Sequence, residues 1–290
     1  MFSLIDMLGR ACPVIDIVDV GALWMGEQDL AYRALLKHDR FRLIGFEPVA
    51  AECDKLNAMG RKGQRFLPYF IGDGTEREFR LNNAPMTSSL YEPNRRLVDR
   101  FAALGELMIP QTRERVRTTR LDDIPDIDAI DFLKLDIQGG ELDALRGAAR
   151  HLQRAVVIET EVEFVPLYEG QPLFAELDQE LRRHGFLLHA LPGTSGRTFR
   201  PLRDPSNPAA TINQVLWADA VYVKDFSRLA VLSAEQLLRM AVIVHEVYGS
   251  VDLAALCLQH YDAKTKAGLW QVYIQRVTGA TTAPAPPPLE

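Results

Sequence analysis

Short apolar runs alternate along the chain with segments in which apolar residues recur every three or four positions. The runs predict strands at residues 14–21, 41–48, 65–73, 129–137, 155–162 and 186–191. The segments between them predict helices at residues 28–39, 51–59, 141–151 and 172–184. Strands alternating with helices of this length predict an α/β fold, with a mostly parallel sheet covered by helices on both faces.

Two pairs of strands depart from this alternation. A strand-like pair is predicted at about residues 76–82 and 115–121. Near the end of the sheet region, residues 192–212 are rich in Gly, Pro, Ser and Arg and leave no room for a helix before a strand within 212–224. Because a parallel neighbour needs an ordered crossover of a dozen or more residues, we expect this last strand to be antiparallel.

The chain changes character after residue 226. Ser233, with Gln236 three positions later and an apolar stripe beyond, is typical of a capping box at a helix start. Amphipathic helices are predicted at residues 233–248, 250–261 and 266–277, as a small bundle packed on the sheet or on a second subunit of a homo-oligomer. The predicted organisation is an N-terminal extension, an α/β domain, a helical appendage and a disordered Pro-rich tail, at residues 1–13, 14–226, 227–277 and 278–290.

The composition excludes several classes of protein. A formal net charge of −6 with dispersed basic residues provides no clustered basic face for nucleic acid. No apolar run is long enough to cross a bilayer, and the first twelve residues lack the pattern of a secretory signal, so we expect no membrane association and a cytoplasmic location. The cysteines (Cys12, Cys53 and Cys257) and the histidines lack ligand spacing, so we expect neither a disulfide framework nor a metal site.

Acidic residues stand where three predicted strands end. They are Asp19 followed by Gly21, Glu47 followed by Pro48, and Asp136 followed by Gly139 and Gly140. In a parallel sheet, ligands bind at the carboxyl ends of the strands, and a carboxylate ending the second strand commonly accepts the hydroxyls of a ribose. Glu47 fits this role. The alternative is that it only caps the helix that follows.

The loop after Gly21 distinguishes between cofactors. A dinucleotide needs glycines here so that its pyrophosphate can approach backbone N–H groups, but the loop continues with Leu23, Trp24 and Met25. Asp19 would also repel a diphosphate. S-adenosylmethionine has no phosphate and carries sulfonium and ammonium cations, so nearby acids are favourable to it. The loop therefore argues against a dinucleotide and is compatible with S-adenosylmethionine.

Several motifs, in this order, resemble the FkbM family of S-adenosylmethionine-dependent methyltransferases. They are "VDVGA", "GFEP", "SSL" at residues 88–90, "LKLDIQGGELDALRGA", "EVEFVPLYEGQPLFAELDQELRRHGF" and "WADAVYVK". The resemblance covers roughly residues 14–224 and implies a Rossmann-like class I methyltransferase fold, a seven-stranded sheet with a reversed last strand. It also implies methyl transfer to a hydroxyl group of a small-molecule or glycan acceptor, such as a sugar or a secondary metabolite.

Residue by residue, the resemblance implies a cofactor site at Asp19, Gly21, Ala22, Glu47, Pro48, Asp73 and Asp136. Glu47 would bind the ribose, and Asp136 would lie beside the methionine moiety. Asp73, at the end of the third predicted strand, would contact the adenine. The chain departs from the family pattern in the first loop, and again where Gln138 replaces a glutamate, which weakens any acid–base role at that position.

An alcohol acceptor is a poor nucleophile until a base removes its proton. The candidates are Asp136, Glu161 and His189, since each lies near the predicted ligand-facing end of a strand. Glu159 and Glu161 alternate with apolar neighbours, so one of them facing solvent stays open, as does a plain packing role for His189. The candidates for contact with the acceptor are Ser88, Ser89, Phe164 and Tyr168, although the two aromatic residues also fit an ordinary core.

Two other functions stay open on these residues. A nicotinamide-dependent oxidoreductase on a related fold would share Glu47 but lacks the phosphate-binding glycines. A non-catalytic protein that keeps the fold could use the helices after Ser233 as an assembly surface.

Overall fold

The computed structural model describes residues 2–23, 26, 30–59 and 62–280. Its strands are β1 (Ile15–Val20), β2 (Phe41–Phe46), β3 (Gln64–Leu67), β4 (Glu76–Asn82), β5 (Pro110–Arg117), β6 (Phe132–Leu135), β7 (Val157–Glu163), β8 (Phe186–Gly196) and β9 (Val215–Lys224). Seven of them form one sheet in the order β3-β2-β1-β6-β7-β9-β8, and β4 pairs with β5. The pairs among β3, β2, β1, β6 and β7 are parallel, whereas β9 is antiparallel to both β7 and β8. The predicted fold class is confirmed, including the reversed last strand.

Helices lie before, between and after the strands. The α-helices are α1 (Leu4–Leu8), α2 (Ala50–Ala58), α3 (Arg95–Val98), α4 (Glu141–Arg146), α5 (Ala149–Leu152), α6 (Phe174–Arg183), α7 (Ala234–Glu246), α8 (Val251–Thr265) and α9 (Leu269–Thr278). Short 3₁₀ helices occupy Gly9–Ala11, Ala31–Lys37, Pro85–Thr87, Gly105–Leu107, Leu121–Asp123 and Phe226–Val231. Among the described residues, none of these helices is long and apolar enough to span a membrane.

Two predicted helices differ from those observed. The helix expected at residues 28–39 is a 3₁₀ helix over Ala31–Lys37, while residues 28 and 29 lie outside the described part of the chain. Its buried residues, Tyr32 and Leu35, are three positions apart, which matches the period of the tighter helix. The helix expected at 141–151 is split into α4 and α5 at Gly147, where an added Cβ would lie 2.3 Å from the carbonyl oxygen of Gly72.

Three strand boundaries also differ from the prediction. β3 ends at Leu67, since Pro68 has no N–H to donate to a neighbouring strand. β5 starts at Pro110 and ends at Arg117, so the pair with β4 is shifted toward the N-terminus from the expected residues 115–121. β8 continues to Gly196 along β9, through a bulge between Leu188 and Ala190.

Side chains of the central strands alternate between two cores. On one face, Ile15 and Ile17 of β1 join residues of α1, α7, α8 and α9 in a single buried cluster. On the other face, Val18 and Val20 join residues of α4 and α6. The helices after Ser233 therefore pack on the sheet, one of the two arrangements expected from the sequence.

The start and end of α7 are fixed by side-chain hydrogen bonds. Ser233 and Gln236 form the predicted capping box, each accepting from the other's backbone N–H at 3.1 Å. At the other end, the Glu246 carboxylate accepts from the Ser3 hydroxyl at 2.8 Å and from the Ile5 N–H at 3.0 Å. The N-terminal segment is thus bound to the end of α7.

Candidate active site

Four parallel strands end together at one edge of the sheet. We call it the carboxyl edge, and it is formed by Val20, Phe46, Leu135 and Glu163 at the ends of β1, β2, β6 and β7. Gly21 lets β1 turn away here, with a φ of +87° that favours glycine. A Cβ at Gly21 would lie 1.9 Å from the carbonyl oxygen of Asp136. The predicted cofactor residue Gly21 therefore brings the ends of β1 and β6 into close approach.

Asp19 is a buried carboxylate, and the described residues donate a hydrogen bond to one of its two oxygens. Its side chain is 2% exposed, and its Oδ2 accepts from the Tyr32 hydroxyl at 2.5 Å. Within the described residues, Oδ1 accepts no hydrogen bond, although Lys134 Nζ lies 3.7 Å away. A buried acceptor without a donor is costly, so this oxygen is suited to bind a donor from a ligand.

Lys134 is a residue that the sequence analysis did not single out. It lies opposite Asp19 across the β1–β6 pair, and its Nζ is 3.5 Å from Asp136 Oδ2. Burial alone would lower the pKa of Lys134, but the charges of Asp19, Asp136 and Glu159 outweigh it and raise the pKa above its usual value. Lys134 is therefore a fixed cation between two carboxylates. The one available signal was a lysine inside the apolar run 129–137.

Glu47 lies directly before α2, but among the described residues no side-chain hydrogen bond caps that helix, so the capping alternative is not confirmed. Its Oε1 accepts from the Val49 N–H at 2.8 Å, immediately before α2. The side chain is almost fully buried, and burial raises its pKa. Pro48 follows directly, and Ala22 lies nearby with its N–H donated to the Phe46 carbonyl at 3.0 Å. These residues bring the ends of β1 and β2 together.

Asp73 is not at the end of a strand, contrary to the prediction. It lies six residues beyond the end of β3, in a turn where its carboxylate accepts from the Thr75 N–H at 3.0 Å and the Thr75 hydroxyl at 2.6 Å. Arg77 pairs with its other oxygen at 3.1 Å. Burial opposes these contacts, yet together they lower the pKa of Asp73. Its carboxylate is therefore engaged in closing the turn.

Gln138 links two of the predicted catalytic residues. Its side-chain nitrogen donates to Glu161 Oε2 at 2.6 Å and to Asp136 Oδ1 at 3.1 Å. Its side-chain oxygen lies 3.1 Å from the Tyr168 hydroxyl, whose single hydrogen it shares with the Thr87 carbonyl at 2.8 Å. Only the amide nitrogen can face two carboxylates, so the network fixes the orientation of this side chain. The structure thus brings Asp136 and Glu161 together, with Gln138 between them.

The backbone around Gln138 is held as firmly as its side chain. Gln138 has a φ of +56°, and its carbonyl accepts from the Ser89 hydroxyl at 2.6 Å. The buried Glu141, which the sequence analysis missed, accepts from the N–H groups of Ile137 at 2.7 Å and Gly139 at 2.9 Å. A non-glycine residue at positive φ is uncommon and persists only where the surrounding structure holds the backbone in that conformation. Here the hydrogen bonds of Ser89 and Glu141 hold it.

The acids of β7 all face one side of the sheet. Glu159 and Glu161 are two residues apart on the same strand, so their side chains share a face, on which Glu159 is buried and Glu161 is partly exposed. Burial, followed by the charges of Asp136, Glu163 and Glu141, raises the pKa of Glu161 well above its usual range. Burial likewise raises the pKa of Glu163. The carboxyl edge therefore holds carboxyl groups that accept a proton readily.

The remaining candidates occupy different surroundings. Ser88 accepts from the Asn82 N–H at 3.1 Å, and Tyr168 is fully buried with its hydroxyl donated to the Thr87 carbonyl at 2.8 Å. Phe164 packs on Phe174, with ring centroids 5.5 Å apart, beside the core on the α4–α6 face. Tyr168 and Ser89 thus reach the Gln138 network, whereas Phe164 belongs to the core.

His189 is not at the end of its strand, contrary to the prediction. It lies at the bulge in β8, which continues seven residues further to Gly196. Its Nε2 is 2.7 Å from the Ser250 hydroxyl, at the start of α8. Burial lowers the pKa of His189. Its contact is with the helical appendage.

The described residues contain no group of His, Cys, Asp and Glu side chains arranged to hold a metal ion. The loop residues Trp24 and Met25, which the sequence analysis weighed against a dinucleotide, lie outside the described part of the chain, as do residues 281–290 of the predicted tail.

Comparison with solved structures finds similarity to methyltransferases. A putative methyltransferase from Thermoplasma acidophilum is 10% identical, with a TM-score of 0.39 over 73% of this chain and 69% of that one. The precorrin-6y C5,15-methyltransferase of Geobacter metallireducens is 15% identical, with a TM-score of 0.37 over 74% of this chain and 82% of that one.

Comparison of sequences is more specific. The chain is 29% identical over 195 residues to the 2-O-methyltransferase NoeI of Sinorhizobium fredii, covering 61% of this chain and 74% of that protein. Residues 19–188, which run from Asp19 on β1 into β8, match the methyltransferase FkbM domain. That match spans more than half of the 290 residues and includes the carboxyl edge with its acids. The chain is therefore a methyltransferase and belongs to the FkbM family.

Proposed function

We propose that this methyltransferase uses S-adenosylmethionine to methylate a hydroxyl group of a sugar or secondary-metabolite-type acceptor. The observation that carries the proposal is the buried Oδ1 of Asp19, near the end of β1, which accepts no hydrogen bond from the described residues. The name of NoeI, a 2-O-methyltransferase, supports an oxygen as the methyl acceptor. Membership of a methyltransferase family favours methyl transfer over the nicotinamide-dependent and non-catalytic alternatives.

The residues of the carboxyl edge fit this cofactor in charge. When bound, S-adenosylmethionine would supply an electrophilic methyl group on a positively charged sulfur. Asp19 and Asp136 are carboxylates at that edge, and Lys134 is the cation that the described residues place between them. Acids favour a cationic ligand and oppose a diphosphate, so the charges support S-adenosylmethionine over a dinucleotide.

Individual residues have separate roles in the proposal. Asp19 Oδ1 would accept a hydrogen bond from the ammonium group of the cofactor. Glu47, buried at the end of β2 with one oxygen already bonded to Val49, would bind ribose hydroxyls beside Ala22 and Pro48. We leave Asp73 out of the site because its carboxylate is engaged by Thr75 and Arg77.

Glu161 is the general base in this proposal. A carboxylate whose pKa is raised toward the working pH is a stronger base than an ordinary glutamate. Glu161 is held at 2.6 Å by the Gln138 amide, which fixes where it receives a proton. The Glu161 carboxylate would accept the hydroxyl proton of the acceptor, while the bound cofactor would supply the methyl group and leave as the neutral thioether. Asp136, which is 40% exposed and bonded to the same Gln138 amide, would face the ligand.

Calorimetric titration with S-adenosylmethionine tests the cofactor. We expect the wild-type protein to bind it, and Asp19→Asn and Glu47→Gln each to weaken binding by about tenfold, the loss expected for a hydrogen bond to a charged group. Asp73→Asn is the matched control and should bind like the wild type. No binding at millimolar ligand, or equal affinity in all four proteins, would overturn the proposal.

Transfer of a labelled methyl group to a panel of sugars and hydroxylated metabolites tests the acceptor. We expect the wild-type protein to place the label on an oxygen of an acceptor. Glu161→Gln should lose this transfer and still bind the cofactor. Label found only on nitrogen or carbon acceptors would contradict the assignment of a hydroxyl group.

A further inference from the structure

We propose that Tyr248, in the segment joining α7 to α8, is a positioning residue for the carboxyl edge. Its hydroxyl donates a hydrogen bond to Glu159. The charge of Glu159 in turn determines how far the positive charge of Lys134 is offset beside Asp19 and Asp136. The inference rests on the proposed binding of S-adenosylmethionine at this edge. Tyr248 lies outside residues 19–188, the part of the chain that matches the family domain.

The contact that carries the inference is short and buried. The Tyr248 hydroxyl donates to Glu159 Oε2 at 2.7 Å, across 89 positions of sequence. The Tyr248 ring also packs edge-on against Phe132 of β6, with centroids 6.2 Å apart. The segment joining α7 to α8 therefore reaches from the appendage to the same face of the sheet that carries Asp19 and Lys134.

Glu159 occupies the position next to Lys134 in the sheet. The two residues are register partners across the β6–β7 pair, just as Lys134 and Asp19 are partners across the β1–β6 pair. The side chains of Asp19, Lys134 and Glu159 therefore follow one another along one row of one face. Tyr32 bonds to Asp19 at one end of this row, and Tyr248 bonds to Glu159 at the other.

The ionisation of Glu159 depends on the groups that face it. Burial raises the pKa of Glu159 to about 7, while the Tyr248 hydroxyl and the Lys134 charge lower it and the charges of Asp219 and Asp19 raise it. His189, on the edge strand β8, bonds to Ser250, and burial lowers its pKa. Glu159 thus changes charge near neutral pH.

The two charge states of Glu159 give the carboxyl edge different net charges, and so different attraction for a cationic ligand. When Glu159 is ionised, it offsets the Lys134 cation, and the edge retains the negative charges of Asp19 and Asp136. When Glu159 is protonated, the edge is more positive by one charge and attracts a cation less strongly. Affinity for S-adenosylmethionine should therefore rise as the pH increases through the pKa of Glu159.

The experiment is a calorimetric titration with S-adenosylmethionine between pH 6 and pH 8.5, at constant ionic strength. The wild-type dissociation constant should fall on the order of fivefold across this range, at the low end of ordinary coupling between sites. Tyr248→Phe removes only the hydroxyl that lowers the pKa of Glu159, so the inflection should move to higher pH. Glu159→Gln cannot ionise and should lose the inflection, keeping the weaker affinity throughout.

Tyr273→Phe is the matched control in the same helical appendage. Its hydroxyl lies 2.8 Å from His245 Nδ1 and does not reach the carboxyl edge, so the profile should stay like that of the wild type. Titration of the ligand's own amine is common to all four proteins and cancels in their comparison. The melting temperature of each variant shows whether a changed profile comes from loss of folding or from a changed link between Glu159 and ligand affinity.

A shifted inflection in Tyr248→Phe and its loss in Glu159→Gln support the inference. An unshifted profile in Tyr248→Phe, an inflection retained in Glu159→Gln, or a flat wild-type profile would overturn it and leave the proposed function standing. A wild-type protein that binds no S-adenosylmethionine at any pH would overturn the proposed function and this inference with it.

Discussion

The side-chain nitrogen of Gln138 lies 2.6 Å from the carboxylate of Glu161 and donates a hydrogen bond to it. The same nitrogen bonds to Asp136 at 3.1 Å, so one neutral amide holds two acids at the carboxyl edge. A glutamate at position 138 has no hydrogen to donate and would place a third carboxyl group between the other two. The identity of this residue therefore controls the charge state of the proposed base.

Gln138→Glu should slow methyl transfer by about tenfold or more, because the added carboxyl group makes ionisation of Glu161 harder. The acid limb of the pH–rate profile should move to higher pH, since Glu161 then needs a more alkaline solution to lose its proton. Gln138→Met is the control, as it removes the hydrogen bonds without adding charge. A profile in which the glutamate variant matches the wild type would remove Gln138 from the account of the base.

Gly21→Ala should destabilise the fold more than the same change at another glycine of positive φ. Alanine at Gly21 meets both an unfavourable φ of +87° and the Asp136 carbonyl at 1.9 Å, at a cost of about 2–4 kcal/mol. Gly170 has a φ of +72° but no atom within 4 Å of an added Cβ, so Gly170→Ala should cost about 1 kcal/mol. Urea denaturation measures both, and equal losses would mean that the close approach of β1 and β6 is absent.

Arg239→Met should weaken the attachment of α7 to the sheet. Arg239 Nε lies 2.9 Å from Oδ2 of Asp131, in an ion pair that is not aligned as a hydrogen bond, and Asp131 is 1% exposed. Losing the partner of a buried carboxylate costs about 3 kcal/mol. Arg154, 44% exposed and 3.5 Å from the same carboxylate, is the matched control, and Arg154→Met should cost less than about 1 kcal/mol. Similar free energies of unfolding for the two variants would contradict this assignment.

Lys224 makes the free energy of unfolding vary with pH in the alkaline range. Its Nζ donates to the carbonyls of Leu152 at 2.8 Å and His184 at 2.9 Å, and burial lowers its pKa to about 8. The unfolded lysine has a pKa of about 10.4, so between these values the unfolded state binds the extra proton and the native state gains stability as the pH rises.

The size of this effect is obtained by comparison with a variant that cannot titrate. Relative to Lys224→Met, the wild-type free energy of unfolding should increase by up to about 3 kcal/mol between pH 8 and pH 10.4. The subtraction removes the contributions of the buried cysteines and tyrosines, which titrate in the same range. A difference between the two proteins that is independent of pH would show that Lys224 keeps an ordinary pKa in the fold.

The mostly parallel sheet with its antiparallel last strand could be predicted from sequence because both features depend on local patterns. Apolar runs separated by helical segments require crossovers, and residues 192–212 could not supply one, so β9 had to be antiparallel. The type of the helix at Ala31–Lys37 could not be read in the same way, because it depends on how Tyr32 packs against the sheet. The end of β3 at Leu67 had a local signal in Pro68, which lacks an N–H, and the sequence analysis did not use it.

The position of a candidate residue was clearest from sequence at a strand end. The structure places Asp19, Glu47 and Asp136 at the ends of β1, β2 and β6, whereas Asp73 was misplaced because β3 was expected to be longer. Lys134 and Glu141 were missed because a single charged residue in an apolar run or on a short helix resembles a solvated one. The bond from Tyr248 to Glu159 joins residues 89 positions apart, a separation at which no local pattern carries information.

A crystal structure of the protein with S-adenosylhomocysteine tests the central claim most directly. The account predicts the ribose hydroxyls within hydrogen-bonding distance of Glu47 and the amino group of the ligand at Asp19 Oδ1, with the sulfur toward Asp136. A ligand bound away from the ends of β1, β2 and β6, or one that touches none of these three carboxylates, would contradict it.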